Sequence, residues 1–501
     1  MALNKKGYFQ NTTCMKISTS LEQNLKFFKQ KLASDDITFL DLDIGEIKAN
    51  LIFVNDLVNK ESLGKLILEP ASKVTGRIDK NQLIEIFHSP EKTQNTDKEQ
   101  ALSEIMTGNA ILLADGFDFS LSFGLKQFEK RAITEPPTST VLKGPREGFV
   151  ESLPVNISLM RRRLKTPDLV FENLVLGKYS KTPIALCFIR GIADQKIVDK
   201  IKQKLSNIDI DAVLDSSYIS KFLGEHDISL FKQVGNTEKP DILASKILEG
   251  RVAIFVDGSP IALTVPYLLM EDFQSASDYY NSSLSATVAR HIRLLSVILA
   301  LFLPAMFVAS ELFHLQLIPL SFLLTIVNSI KGIPLSPSYE MFFTLLIFEI
   351  LNEASVRMPK YVGMVVSIVG GLVLGETAVN AGIISAPTLM IIALSGICLY
   401  TVPELEQTFS ILRIFFLIIA GSGGIFSILV VVGIFFIYLV SFENFGTPIC
   451  APFSPLIKED LKDSFYKGLL MELDKRPKSL KNKNKIRIKL QNKEKNNAKK
   501  S

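Results

Sequence analysis

Glu349, Glu353 and Arg357 stand four residues apart, so on a helix two carboxylates and a guanidinium share one face. Asn352 lies in the same stretch, and Glu376 and Asn380 repeat the four-residue spacing further along. All five polar candidates sit in the most apolar third of the chain. A carboxylate at membrane depth is costly unless it faces a partner or water. A ring of helices bearing such residues would present acids to a pore and favour cations. The same spacing also fits a structural helix held by a Glu353–Arg357 pair.

No other chemistry declares itself. There is no GxxxxGKS/T, HExxH, GxSxG or GxGxxG motif, and the chain has only four His, at His88, His226, His291 and His314. Cys14, Cys187, Cys398 and Cys450 are scattered, without metal or redox spacing. The sequence therefore predicts no catalytic residues, no cofactor and no metal, and a protein that is not an enzyme. Arg161, Arg162 and Arg163 could meet phosphate or lipid headgroups, or serve as salt-bridge partners within the fold.

The elements that carry the acids are apolar helices. Hydrophobic residues make up 47% of the 501, and the excess is concentrated between about 292 and 441. Tyr361–Val379 and Ile383–Val402 are long enough, at about 1.5 Å per residue, to cross roughly 30 Å of hydrocarbon. Gly363, Ser367, Gly371 and Gly375 fall on one face and predict close helix packing. Arg290, His291 and Arg293 precede the first apolar run, Leu294–Ser310, which places its start on the cytoplasmic side. Leu315–Ile330 returns as a short helix, and Pro304 and Pro319 predict kinks or breaks. Tyr339–Met358 is amphipathic, and Leu412–Val440 is interrupted at Gly421–Gly424, where a carrier could bind a solute at a broken helix. Both chain ends on one side require an even number of crossings, four or six.

The first part of the chain repeats itself. Ile111–Gly124 (ILLADGFDFSLSFG) resembles Val252–Pro266 (VAIFVDGSPIALTVP), each with an Asp-Gly hairpin turn, at Asp115-Gly116 and Asp257-Gly258. Asn50–Ile67 resembles Ile184–Leu205 as a strand, a turn and a helix. The offsets are roughly 135–140 residues, which predicts two copies of an α/β subdomain. The fold expected is an α+β membrane protein: a duplicated α/β cytoplasmic N-terminal domain followed by an α-helical polytopic membrane domain. Its parts are a flexible N-terminus (1–34), subdomain 1 (35–140), a linker (141–165) containing Gly144, Pro145, Arg146 and Gly148, subdomain 2 (166–289), a transmembrane domain (290–445) and a basic cytoplasmic tail (446–501). The N-terminus lacks an apolar run of signal-peptide length. Beyond residue 480, nine Lys and Arg face Glu494 alone, so the net charge of +5 is a property of the tail, which could bind anionic lipid or stay solvated.

Several stretches together resemble the A subunits of GerA-type bacterial spore germinant receptors. They are Lys143–Glu151 (KGPREGFVE) with Asn156–Leu164 (NISLMRRRL), Phe348–Pro359 (FEILNEASVRMP) and Val366–Pro403, collinear from about 35 to 470. The resemblance implies a multi-pass protein of the inner spore membrane that works with a transporter-like B subunit and a lipoprotein C subunit. It also implies oligomers, pentamers in the family, that form a nutrient-gated cation channel triggering germination. No nucleic-acid partner is implied. The alternatives are a secondary carrier, disfavoured because the repeat lies only in the soluble half, and a non-conducting membrane scaffold coupling a nutrient sensor to dipicolinate or ion release. The family also contains a relative encoded with the dipicolinate-release proteins.

Overall fold

The computed structural model describes residues 15–87, 89, 91–126, 143–226, 229–359, 373, 375–469 and 471–488. These fall into two compact units. An α/β unit lies within Met1–Asp227, Gln233–Pro266 and Lys475–Arg487, and a helical unit within Ile228–Lys232, Tyr267–Asp474 and Ile488–Ser501.

The α/β unit contains the same substructure twice. The first copy contains α1 (Leu21–Lys31), β1 (Ile37–Ile44), β2 (Ile47–Val54), a helical stretch over 60–72, β3 (Lys92–Asn95), α2 (Lys98–Met106), β4 (Ala110–Ala114) and β5 (Ser120–Phe123). The second comprises α3 (Leu153–Arg163), β6 (Leu169–Leu176), β7 (Thr182–Ile189), α4 (Gln195–Ser206), β8 (Gly235–Thr237), α5 (Pro240–Leu248), β9 (Val252–Val256) and β10 (Ala262–Val265). The sheets have matching orders, β1-β2-β4-β5-β3 and β6-β7-β9-β10-β8, with every pairing antiparallel. Strand composition follows position. The inner strand β4, AILLA, is buried throughout because apolar residues cover both faces of its sheet, whereas the edge strand β1, ITFLDLDI, mixes buried and exposed positions.

The two Asp-Gly turns have the same second job. Gly116 and Gly258 take φ of 86° and 87°, a conformation glycine adopts without strain, and their amides donate to Thr19 O and Glu151 O at 2.8 Å. The preceding Asp115 and Asp257 each accept the first helical amide of α1 or α3, from Leu21 and Leu153, at 2.9 Å. Inside those helices Asn24 and Asn156 bind both backbone groups of Ser18 and Val150, at 2.6–3.0 Å. Each repeat therefore begins with its helix, so two expected boundaries move. Residues 21–34 are not a flexible N-terminus but carry α1, and the expected linker 141–165 contains α3, whose Leu153, Ile157 and Met160 enter the second core. Gly144, Pro145, Arg146 and Gly148 precede α3 in non-repetitive chain, with Gly144 at φ 123°.

The copies meet at Arg161, which is 1% exposed. Its Nε and Nη2 donate to the two carboxylate oxygens of Asp36 at 2.7 Å, Nη2 also reaches Ser34 Oγ at 3.0 Å, and the guanidinium lies 5.0 Å from the Phe171 ring centroid. Two further bonds seal the joint, Asp35 N to Phe171 O (2.9 Å) and Phe171 N to the Ser34 side-chain Oγ (2.8 Å). Arg163 and Arg162 pair with Glu147 at 2.8 and 3.6 Å. All three arginines of the run therefore have acidic partners within the unit.

The helical unit contains α6 (Ser283–Phe313), α7 (Leu320–Ile330), α8 (Pro337–Arg357), α9 (Gly375–Asn380), α10 (Ala386–Leu399) and α11 (Glu406–Ser441). Only α6 and the segment Pro403–Ser441 are long and apolar enough to span a membrane, among the described residues. At about 1.5 Å per residue, α7 and α10 fall short of a roughly 30 Å hydrocarbon layer. Pro304 does not break α6, whereas α11 is interrupted at Gly423 and Gly424 (φ 63°), as the glycine run predicts. The unit starts at Tyr267, not at 290, because the chain before α6 packs with it.

The expected basic tail is also divided. Residues up to Asp474 belong to the helical unit, where Arg290, fully buried, donates to Asp278 (3.1 Å), Asp463 (3.0 Å) and Ser464 O (2.6 Å). Lys475–Arg487 folds into the α/β unit: Arg476 Nε caps the end of α5 at Leu248 O (2.7 Å), and Leu480 is fully buried. Residues 489–501 lie outside the described residues.

Burial, then the nearby charge of Asp36, with Lys60 opposing, lifts the Asp56 carboxyl from 3.8 to about 6. The folded state then binds the proton more tightly than the unfolded one, so between about pH 4 and 6 stability falls as pH rises. Asp56→Asn is expected to remove this slope. Denaturant titration of the full chain should find the variant about 1–2 kcal/mol more stable than the parent above pH 6 and equal to it below about pH 4.

Candidate functional site: a polar seam in the helical unit

A buried arginine not among the predicted residues holds one of them, Glu349. Arg413 lies on α11, inside the apolar run SILRIFFLI, and is 1% exposed. Its Nη2 pairs with Glu349 of α8, its Nη1 donates to Ser395 Oγ of α10 at 2.9 Å, and its guanidinium lies 5.4 Å from the Phe348 ring centroid. Ser395 in turn donates to Ala300 O of α6 at 2.8 Å. One guanidinium thus joins four helices. Gly396 lets Phe348 approach: a Cβ there would lie 2.3 Å from the ring.

Asn352 extends the seam one turn along α8. Its Nδ2 donates to Glu406 Oε1 at 2.8 Å, at the start of α11, and its Oδ1 accepts from Tyr400 OH at 2.7 Å. The seam therefore includes Glu349 and Asn352 but not the other three candidates. Glu353 points out of the seam and pairs with Arg357 at 2.6 Å, both well exposed. Glu376 and Asn380 are exposed on α9. Gly375 is buried, and a Cβ there would lie 3.2 Å from Leu389 of α10. Gly363, Ser367 and Gly371 lie outside the described residues.

A fully buried acid also lies on α8. Glu340, 1% exposed, accepts from the backbone amide and the hydroxyl of Ser385, both at 2.7 Å. Ser385 is the N-cap of α10, so Glu340 places negative charge at the positive end of that helix. Nothing in the spacing of Glu340 announces this role; the pairing needs the fold.

The chemistry of the seam is charge neutralisation. Arg413 and Glu349 cancel inside the unit, and Asn352 supplies a neutral bridge. Among the described residues no group of three or more His, Cys, Asp or Glu is arranged to hold a metal ion. Asn352→Leu should leave Tyr400 OH and Glu406 without this bridge and lower the unfolding free energy by about 1–2 kcal/mol in thermal melts, with Tyr400→Phe costing less because it removes one bond instead of two.

Comparison with known proteins matches residues 23–479 to the model of the Bacillus/Clostridium GerA spore germination protein family. Spore germination protein KA of Bacillus subtilis is 34% identical over 481 residues, covering 94% of this chain and 88% of that protein. The uncharacterised membrane protein YfkQ of the same organism is 35% identical, covering 92% and 91%. GerLA of Bacillus cereus is 30% identical, covering 94% and 97%. The crystal structure of the N-terminal domain of the A subunit of the Bacillus megaterium spore germinant receptor GerK3 aligns with 52% of this chain and 99% of that one, at 29% identity and a TM-score of 0.40. That score is too low to carry the fold, which stands on the matching sheet orders. With the family model spanning both units and relatives matched over nearly their full lengths, the chain belongs to the GerA spore germination protein family.

Proposed function

We propose that this chain is the A subunit of a spore germinant receptor, and that copies of it assemble, as pentamers, into a cation channel opened when a nutrient is sensed. The match to spore germination proteins across residues 23–479 carries the receptor reading. The channel reading draws on the distribution of acids. Glu349 is neutralised within the chain, whereas Glu353, Glu376 and Asn380 are exposed on helices of the apolar unit and could face an ion path between copies. In this reading the helical unit lies in the inner spore membrane with both chain ends in the cytoplasm, and α8 stands with its acidic side toward water. A transporter-like B subunit supplies nutrient recognition, and a lipoprotein C subunit completes the receptor. The break at Gly423 and Gly424 favours a second reading, a carrier binding solute at the freed backbone.

The two readings differ in rate. Liposomes holding the chain with its B and C partners, exposed to rich nutrient broth, should pass monovalent cations at channel rates; slow, saturable flux of one solute would favour the carrier. Glu353→Gln should change cation conductance by about twofold or more, since it removes one charge per copy from the path. Unchanged conductance with a lower melting temperature would make Glu353 a structural residue instead.

A further inference from the structure

The joint between the two repeats of the α/β unit is made from parts that each repeat also carries facing outward. Helices α1 and α3 and strands β1 and β6 share one register, with Leu21 matching Leu153 and Ile37 matching Leu169. On that register Arg161 corresponds to Lys29, Asp36 to Asp168, Ser34 to Thr166 and Phe171 to Phe39. The contacts correspond as well. Arg161 lies over Phe171 of its own repeat at 5.0 Å, and Lys29 lies over Phe39 at 5.7 Å. Asp36 O accepts from Asn55 N at 2.9 Å, and Asp168 O accepts from Arg190 N at 2.8 Å.

The chain makes only one of the two joints that these parts allow. Arg161 of the second repeat meets Asp36 of the first, and both side chains are 1% exposed. Were the two repeats closed on each other, Lys29 would meet Asp168 in the same way. Both are exposed instead, and neither side chain has an acidic or basic partner among the described residues. The strand edges differ likewise. Phe39 faces Ile52 in its sheet as Phe171 faces Cys187 in the other. Phe171 N donates to Ser34 Oγ and Phe171 O accepts from Asp35 N, whereas the same edge at Phe39 is unpaired among the described residues. The second repeat therefore presents an open acidic half of the joint, at Thr166–Asp168. The first presents an open basic half, at Lys29 and Phe39.

We propose that the open end of the second repeat docks on the first repeat of another molecule of this chain, with Asp168 meeting Lys29 beside Phe39, so that the joint inside the chain recurs between chains. A second molecule supplies both halves, and their charges are opposite. Because two different surfaces meet, the contact is head-to-tail and closes into a ring when the rotation allows. Two departures from the inner joint make the outer one weaker. A lysine has no forked pair of donors for a carboxylate, and Pro167, at the place of Asp35, has no amide to give to Phe39 O. The inference rests on the reading that molecules of this chain assemble, and adds which faces meet.

The test uses the full chain in detergent micelles. With Lys29→Cys and Asp168→Cys in one chain, a short bifunctional thiol reagent, which spans more than a disulfide, should join molecules into a ladder at least about tenfold stronger than either single variant gives. The single variants also account for the native cysteines. By light scattering, Lys29→Asp or Asp168→Lys alone should weaken association about tenfold, and the two together, which restore opposite charges, should return it to within about threefold of the parent. Both residues are exposed and outside the Arg161–Asp36 joint, so thermal melts should match the parent's. An oligomeric parent without the ladder, or a double reversal that does not recover association, overturns the proposal and leaves the assembly reading standing. A parent that stays monomeric overturns both.

Discussion

Burying a guanidinium is the constraint on which this structure turns. Arg161, Arg290 and Arg413 head the largest fully buried side chains, and a charge removed from water must find carboxylates and further acceptors in good geometry. Each finds them on a segment far away in sequence. Asp36 meets Arg161 across the two repeats, Asp463 meets Arg290 across most of the helical unit's chain, and Glu349 meets Arg413 across α8, α10 and α11. Such pairs add little over well-packed apolar residues, but removing one partner strands the other and typically costs about 3–5 kcal/mol. They therefore act as tests of correct assembly. A register slip in any of these segments leaves a naked charge inside.

The same requirement sorts the acids of the helical unit. Glu349 and Glu340 are held within it, by Arg413 and by the N-terminus of α10, and Asn352 is shared between Tyr400 and Glu406. Of the five polar candidates, the three that stay exposed are Glu353, in a pair with Arg357 that contributes little to stability, Glu376 and Asn380. In the channel reading proposed above, such exposed residues are the ones an ion path between copies could use.

The duplication was legible because each Asp-Gly turn sits between two strongly apolar strands, and both features survive in residue order alone. Helices α1 and α3 were not recognised as equivalents because what they share is one Asn in each, Asn24 and Asn156, bonded to the preceding backbone, not a hydrophobic pattern. Arg413 was missed for a related reason. A lone arginine in an apolar run says nothing of its partner, which lies 64 residues away. The glycines before α11's second half did reveal the break, since two adjacent glycines weaken a helix wherever they occur. At the C-terminus, charge alone reads the basic tail as lipid-binding or solvated, and does not show that Arg476 and Leu480 tie the segment before the lysine run into the α/β unit.

The claim that buried arginine pairs hold the helical unit in register is tested most directly by a double-mutant cycle on Arg413→Leu and Glu349→Leu, followed by thermal unfolding of the full chain. Each single variant strands one charge and the double variant strands none. A coupling free energy of about 2–3 kcal/mol, with the double variant more stable than Arg413→Leu alone, is the predicted result. Effects that add to within about 0.5 kcal/mol would contradict it, and would mean that the two side chains are neighbours without being partners.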